Sequence, residues 1–201
     1  MKKFNTAGPS IANDHYMIDP LTRFDLPEIE SLIDDKRYFV LHAPRQTGKT
    51  TSLLALMHHI NAVGQYCALY ANIEGAQALR GNVGTGMAVI SDVIAQAAQI
   101  YLKDNRLIDW LRQDGLYAPD ENSLSRLLTH WAQITTKPLI LLLDKVDSLV
   151  GDTLISLLRQ IRAGYAQRPE AFPQAMILCG VRDVRDYRIH SNSEYLDDSG
   201  K

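Results

Sequence analysis

Tyr38-Phe39-Val40-Leu41-His42-Ala43-Pro44-Arg45-Gln46-Thr47-Gly48-Lys49-Thr50-Thr51 reads as a strand, a loop and the start of a helix. The first five residues are rich in aromatic and β-branched side chains, which suits a pleated strand. A Pro/Gly-bearing loop follows at once, and Ser52 to Asn61 continues as a helical run. Such a junction can hold an anion: backbone N–H groups at a helix start curl around a phosphate, and glycine is needed where the chain approaches it. Gly48 fills that place. Lys49 would then reach the β- and γ-phosphates as a point charge, and the Thr50 hydroxyl would take a coordination position on Mg2+. Thr51 is expected to help cap the helix. In the pattern G-x-x-x-x-G-K-[ST] the first glycine is Ala43 here, so the cradle runs through Ala43, Pro44, Arg45, Gln46 and Thr47 to the fixed positions Gly48, Lys49 and Thr50.

Downstream, Leu139-Ile140-Leu141-Leu142-Leu143 is uninterrupted by polar residues, as a strand covered on both faces should be, and it delivers Asp144 at its carboxyl end. An acid there can hold the Mg2+ water shell opposite Thr50. Cys67–Asn72 and Ala175–Cys179 read as further strands, the first preceded by Gly64 as a helix cap and the second ending at Gly180. Between the strands, apolar residues recur at three and four. Met87, Ile90, Ile94, Ala98 and Tyr101 form one stripe, and Leu124, Leu127, Leu128, Trp131 and Ile134 another. A third helix is expected from about Asp152, as N-cap, to Gly164. The alternation predicts a parallel α/β sheet. The long stretch from Ile73 to Lys137 is expected to hold two or three helices on the sheet edge, and Gly81, Gly84 and Gly86 to form a mobile loop.

Composition narrows the class. With 201 residues, 21 Lys+Arg against 23 Asp+Glu, a net charge of −2 and 46% hydrophobic residues, neither a disordered polyelectrolyte nor a basic nucleic-acid coat fits. Met1-Lys2-Lys3 is followed by polar residues, and no apolar run approaches the ~18 residues of a membrane span, so a cytoplasmic protein away from membranes is expected. Cys67 and Cys179 each lie within an apolar stretch and read as buried structural thiols. His58 and His59 are adjacent on a helix, point in different directions and make no metal pair.

Ala43–Thr51 together with Leu139–Asp147 resembles a P-loop ATPase of the AAA+ type. More narrowly, Asn5–Pro9, Arg37–Thr51, Ala71–Ala76 and Cys179–Asp183 resemble the AAA-like ATP-binding proteins grouped with archaeal-type ATPases, a likeness over roughly residues 5 to 190. The resemblance implies a three-layer P-loop NTPase fold, ATP and Mg2+ as ligands, and Lys49 and Asp144 in the catalytic machinery. In that family the acid of the second motif is usually followed by Glu, the general base that orients the attacking water. Here the order is Asp144-Lys145-Val146-Asp147. A charged lysine cannot accept a proton and would pair with Asp144 or a phosphate oxygen, so nucleotide binding with little or no hydrolysis is expected. Asp147 is the substitute base if turnover occurs. By the same resemblance Arg182 would sense the γ-phosphate, and Arg185 and Arg188 would serve as arginine fingers; a solvated Arg/Asp turn is the alternative. His15 and Tyr16 lie where such proteins cover the adenine, and a plain surface histidine is equally consistent.

The resemblance also implies a fifth strand after the sensor region. Beyond Cys179 the remaining residues read as a polar tail, so a four-stranded core without fifth strand or helical lid is expected, with the first strand at or near a sheet edge. The expected organisation is an N-terminal segment, 1–36, packing near the nucleotide; a core, 37–190; and a polar, disordered tail, 191–201. A slow ATPase and a nucleotide-dependent switch or inactive subunit stay open as alternatives, with a P-loop kinase behind them. A protein partner or a second copy is compatible with all of these. Nucleic acid is permitted by the resemblance, but the composition shows no basic stripe with interleaved aromatics.

Overall fold

Four strands, β1 (Tyr38–His42), β2 (Cys67–Asn72), β3 (Leu139–Asp144) and β4 (Ala175–Gly180), form one parallel sheet in the order β1-β4-β3-β2. They come from a computed structural model of the chain, which describes residues 2–6, 8–79, 81–113 and 120–181. Each strand lies where its apolar run predicts it. Parallel neighbours need crossovers, and helices supply them. A short helix α1 (Leu26–Asp34) precedes β1, and α2 (Lys49–Val63) joins β1 to β2. Between β2 and β3 come α3 (Val83–Ala97) with its π-helical continuation Ala98–Leu102, then α4 (Arg106–Gln113) and α5 (Ser123–Ile134); α6 (Gly151–Gly164) joins β3 to β4.

Alternate strand residues face opposite sides of the sheet, and both sides are covered. Ala68, Tyr70, Ile140, Leu142, Ile177 and Cys179 pack with Leu53, Leu56, Met57 and Ile60 of α2 and with Ile29 and Ile33 of α1. Leu69, Leu141, Leu143, Met176 and Leu178 pack with α3, α5 and α6 on the other side. β3 and β4 are buried along their whole length, which explains their unbroken apolar sequences. The result is the expected α/β architecture of helix, sheet and helix layers. Among the described residues β1 has a strand partner on one side only. The expected tail, 191–201, and the region where a fifth strand or lid would follow lie outside the described residues.

The structure corrects several expectations. The helices after Ile73 pack on a face of the sheet and not at its edge, because the apolar residues of β2 and β3 on that side need cover. Gly84 and Gly86 belong to α3, whose N-cap Asn82 accepts the Thr85 N–H at 3.1 Å, so the three glycines do not form one loop. Gly86 is there for close packing: a Cβ would come within 2.8 Å of the Thr153 methyl on α6. Helix α6 is capped at Val150, and Asp152 sits in its first turn, where an acid favours the positive end of the helix dipole. The helix Val83–Leu102 is 20 residues long and by length and composition apolar enough to cross a membrane, which the sequence reading missed because Asp92 interrupts the run. Its stripe Met87, Ile90 and Ile94 is fully buried in the core of this fold. Gly64 caps α2 as expected, with φ +82° and its N–H donating to the Ile60 carbonyl at 3.2 Å.

Candidate functional site

The carboxyl ends of the strands open onto a cleft of about 710 Å³. Open parallel sheets bind ligands at this end. The loop after β1 passes through the left-handed region twice, at Gln46 (φ +60°) and Gly48 (φ +81°), a geometry that turns successive N–H groups inward. Gly48 is also the N-cap of α2, and a Cβ there would meet the Arg23 guanidinium at 3.0 Å. The Lys49 ammonium lies inside the loop and donates to the carbonyls of Ala43 and Pro44, at 2.6 Å each. Thr47 braces the same turn by donating to the Pro44 carbonyl at 2.9 Å. Arg45, Gln46, Gly48, Lys49, Thr50 and Thr51 all line the cleft.

The two motifs meet directly. Thr50, in the first turn of α2, donates its hydroxyl to Asp144 Oδ2 at 2.6 Å. Asp144 is 1% exposed, and a buried carboxylate needs partners. It has three neutral donors: the Thr50 hydroxyl, the Tyr70 hydroxyl to Oδ2 at 3.0 Å, and the Lys145 N–H to Oδ1 at 2.9 Å. Burial first, and then the Asp144 charge, raise the Tyr70 hydroxyl well above the usual tyrosine range, so it stays a donor. A hydroxyl and a carboxylate side by side are hard oxygen ligands, the donor set that suits Mg2+, which completes its shell with phosphate oxygens and water. Among the described residues no three or more His, Cys, Asp or Glu side chains cluster so that they could hold a metal ion.

Of the two partners expected for the Lys145 ammonium, Asp144 is not the one it meets. The Lys145 backbone is left-handed (φ +65°), and its N–H donates to the Asp144 carboxylate. The ammonium stands 4.0 Å from Glu74 Oε1, in the turn after β2, and both residues are exposed at the cleft. An ion pair this open to water contributes little to stability. Asp147 lies in the same cleft, against Gly180 at the end of β4, where a Cβ would meet Asp147 Oδ1 at 3.2 Å. That Oδ1 is buried and has no hydrogen-bond partner among the described residues.

Other candidates take different places. Thr51 does not cap α2; its hydroxyl accepts the Ser10 N–H at 3.1 Å and ties the N-terminal segment to the loop. Gly8 and Pro9 of that segment line the cleft, whereas His15 does not: its Nδ1 accepts the Ile11 N–H at 2.9 Å and closes a local turn. Tyr16 packs on Phe4, with ring centroids 5.3 Å apart, and is also outside the cleft. His59 pairs with Glu30 at 2.9 Å. Arg182, Arg185 and Arg188 lie outside the described residues. Tyr70, Glu74 and Tyr101 line the cleft and escaped the sequence reading. The one available signal was polar tips at the end of an apolar strand, which says nothing about what they face.

Cys179 sits beneath the site, fully buried. Burial, and then the Asp144 charge, push its thiol up to about 12. It is therefore protonated at pH 8, and the expected result of iodoacetamide treatment at that pH is no labelling of Cys179 in the native protein and full labelling in denaturant. Cys67 is only partly buried and is raised mainly by burial, so it should label slowly. Mass spectrometry of the alkylated peptides checks both.

No protein-family model and no curated protein matches the sequence. Among solved structures the chain is similar to one of Drosophila ORC bound to poly(dA/dT) DNA and Cdc6 (conformation 1), with a TM-score of 0.51 and 12% sequence identity. The match covers 86% of this chain and 26% of that one, so this chain spans about a quarter of that chain's length. At such an identity the likeness is one of fold: an α/β fold with a four-stranded parallel sheet covered on both faces by helices.

Proposed function

We propose that the chain is an ATP-binding P-loop domain, related to the AAA-like proteins of the archaeal-type ATPase group, that holds Mg2+ and ATP and hydrolyses ATP little or not at all. The observation that carries this reading is the 2.6 Å hydrogen bond from Thr50 to Asp144, which brings the two motifs together at the mouth of the phosphate loop. The N–H groups of residues 45–50 would hold the phosphates, with the Lys49 ammonium leaving the Ala43 and Pro44 carbonyls to meet them. Thr50 and Asp144 would hold Mg2+, which when bound offsets the charge on the β- and γ-phosphates. Segment 1–36 belongs to the site through Pro9 and the Ser10–Thr51 bond, and 37–190 is the core. The place beside Asp144 where a base would stand is Lys145, whose ammonium cannot take a proton from water.

The domain then serves as a cytoplasmic, nucleotide-dependent switch or as a silent subunit beside a protein partner or a second copy. The fold likeness to ORC, solved with DNA and Cdc6, supports a partner-bound module; the net charge of −2 gives no separate support to nucleic acid. One observation favours slow hydrolysis as the second reading: the orphaned Oδ1 of Asp147 points to a group that gains a partner when the site is filled. Calorimetric ATP binding with and without Mg2+, together with steady-state phosphate release, tests both. Binding with negligible release, and release that appears in Lys145→Glu, is the expected result. Native turnover lost in Asp147→Asn would establish the second reading, and no ATP binding would overturn both.

A further inference from the structure

Tyr70 reaches the site from a strand that neither motif uses. On β2, Tyr70 lies in register with Leu142, two positions before Asn72 meets Asp144, so its side chain shares a sheet face with the core under α2. It is 5% exposed, and nothing about its ring requires a hydroxyl there, since phenylalanine has the same apolar body. Yet the hydroxyl ends 3.0 Å from Asp144 Oδ2, the oxygen that Thr50 also reaches. The terminal torsion of an aspartate is broad, so hydrogen bonds and not the rotamer fix which way the carboxylate faces. Two donors on Oδ2 and one on Oδ1 hold its plane, while the Thr50 oxygen keeps lone pairs to present to a cation.

The residue is held from both its backbone and its ring. The Tyr70 backbone N–H donates to the Met57 sulfur at 3.3 Å, and Tyr101 stands edge-on to the Tyr70 ring with centroids 6.1 Å apart and planes at 86°. Tyr101 belongs to the π-helical turn Ala98–Leu102, an element found mostly where a helix serves a site, and it lines the same cleft. A widened helical turn, two tyrosines and the carboxylate thus form one contiguous chain of contacts.

We propose that Tyr70 is a positioning residue: its hydroxyl orients Asp144 against Thr50 and thereby sets how tightly a divalent cation is held beside the nucleotide. This rests on the Mg2+–ATP reading given above. Partners of a ligating group typically matter by about 10–100-fold in metal affinity.

The test compares ATP affinity in excess Mg2+ with ATP affinity in EDTA, by calorimetry, for the native chain, Tyr70→Phe, Tyr101→Leu and Lys49→Ala. In Tyr70→Phe the affinity in EDTA should stay within about twofold of native, while the affinity in Mg2+ falls by roughly 10-fold. Tyr101→Leu should lower the Mg2+ benefit in the same direction by less, and it keeps the inference testable if Tyr70→Phe does not fold. A native-like Mg2+ benefit in whichever of the two variants folds, with Lys49→Ala failing to bind ATP in either medium, would overturn the role of Tyr70 alone. Equal weakening in both media would reduce Tyr70 to packing. Absence of ATP binding by the native chain would remove this inference and the nucleotide reading together.

Discussion

Lys49→Ala is expected to weaken ATP binding by roughly 100-fold or more, to the point where calorimetry detects no heat of binding. Hydrogen bonds to charged groups contribute about 1.5–3 kcal/mol each, and losing two such contacts to phosphate oxygens amounts to about 3 kcal/mol at the low end, or two decades in affinity. The ammonium is held within the loop by the Ala43 and Pro44 carbonyls, which it would leave to meet the phosphates. The side chain is only partly buried, so the fold should survive its loss. Thermal unfolding separates the two effects: ATP with Mg2+ should raise the midpoint of the native chain, as any ligand selective for the folded state does, and leave that of Lys49→Ala in place. An unchanged affinity in Lys49→Ala would mean that ATP binds elsewhere.

The second large effect concerns stability. Phe172 is fully buried just before β4, and its ring lies so close over Gly164, the last residue of α6, that a Cβ at that position would collide with it. Truncating such a ring leaves a cavity, and Phe172→Ala should cost about 3–5 kcal/mol. Gly164→Ala should cost roughly 1–3 kcal/mol from the opposite cause, an overfilled contact. In the double variant the new methyl enters the space the ring has left, so its loss should fall short of the sum of the two. Urea denaturation of the four forms measures this cycle. Strict additivity would show that the two residues do not share one packing site.

The fold could be read from the sequence where burial is symmetric. Leu139–Leu143 and Ala175–Cys179 are apolar on both faces because helices cover both faces, and no other local structure of that length suits them between helical patterns. The strand–loop–helix junction from β1 to α2 could be read because its signal lies in consecutive residues. What could not be read depends on register or distance. That Tyr70 ends on Asp144 follows from the pairing of β2 with β3, across 74 residues, and that Thr51 serves Ser10 follows from a contact across 41. The contact of Lys145 with Glu74 joins residues 71 apart in the chain, at a lysine whose left-handed φ is one that lysine seldom adopts. The helical place of Gly86 is illegible for a related reason: glycine usually weakens a helix, and only the approach of Thr153 explains it there.

The place of β1 in the sheet bears on the order in which the molecule is built. Its sole strand partner among the described residues is β4, and Tyr38 bonds the Pro173 carbonyl from 135 residues away in the chain. During synthesis β1 therefore leaves the ribosome early but has no strand to pair with until nearly all the described chain has followed. β2, β3 and the helices between them can assemble first, through closer contacts, whereas closing the loop between β1 and β4 is the entropically expensive and slow step. β1 is thus the last of the four strands to be fixed in place, and a nucleotide held as proposed above would select those molecules in which assembly is complete.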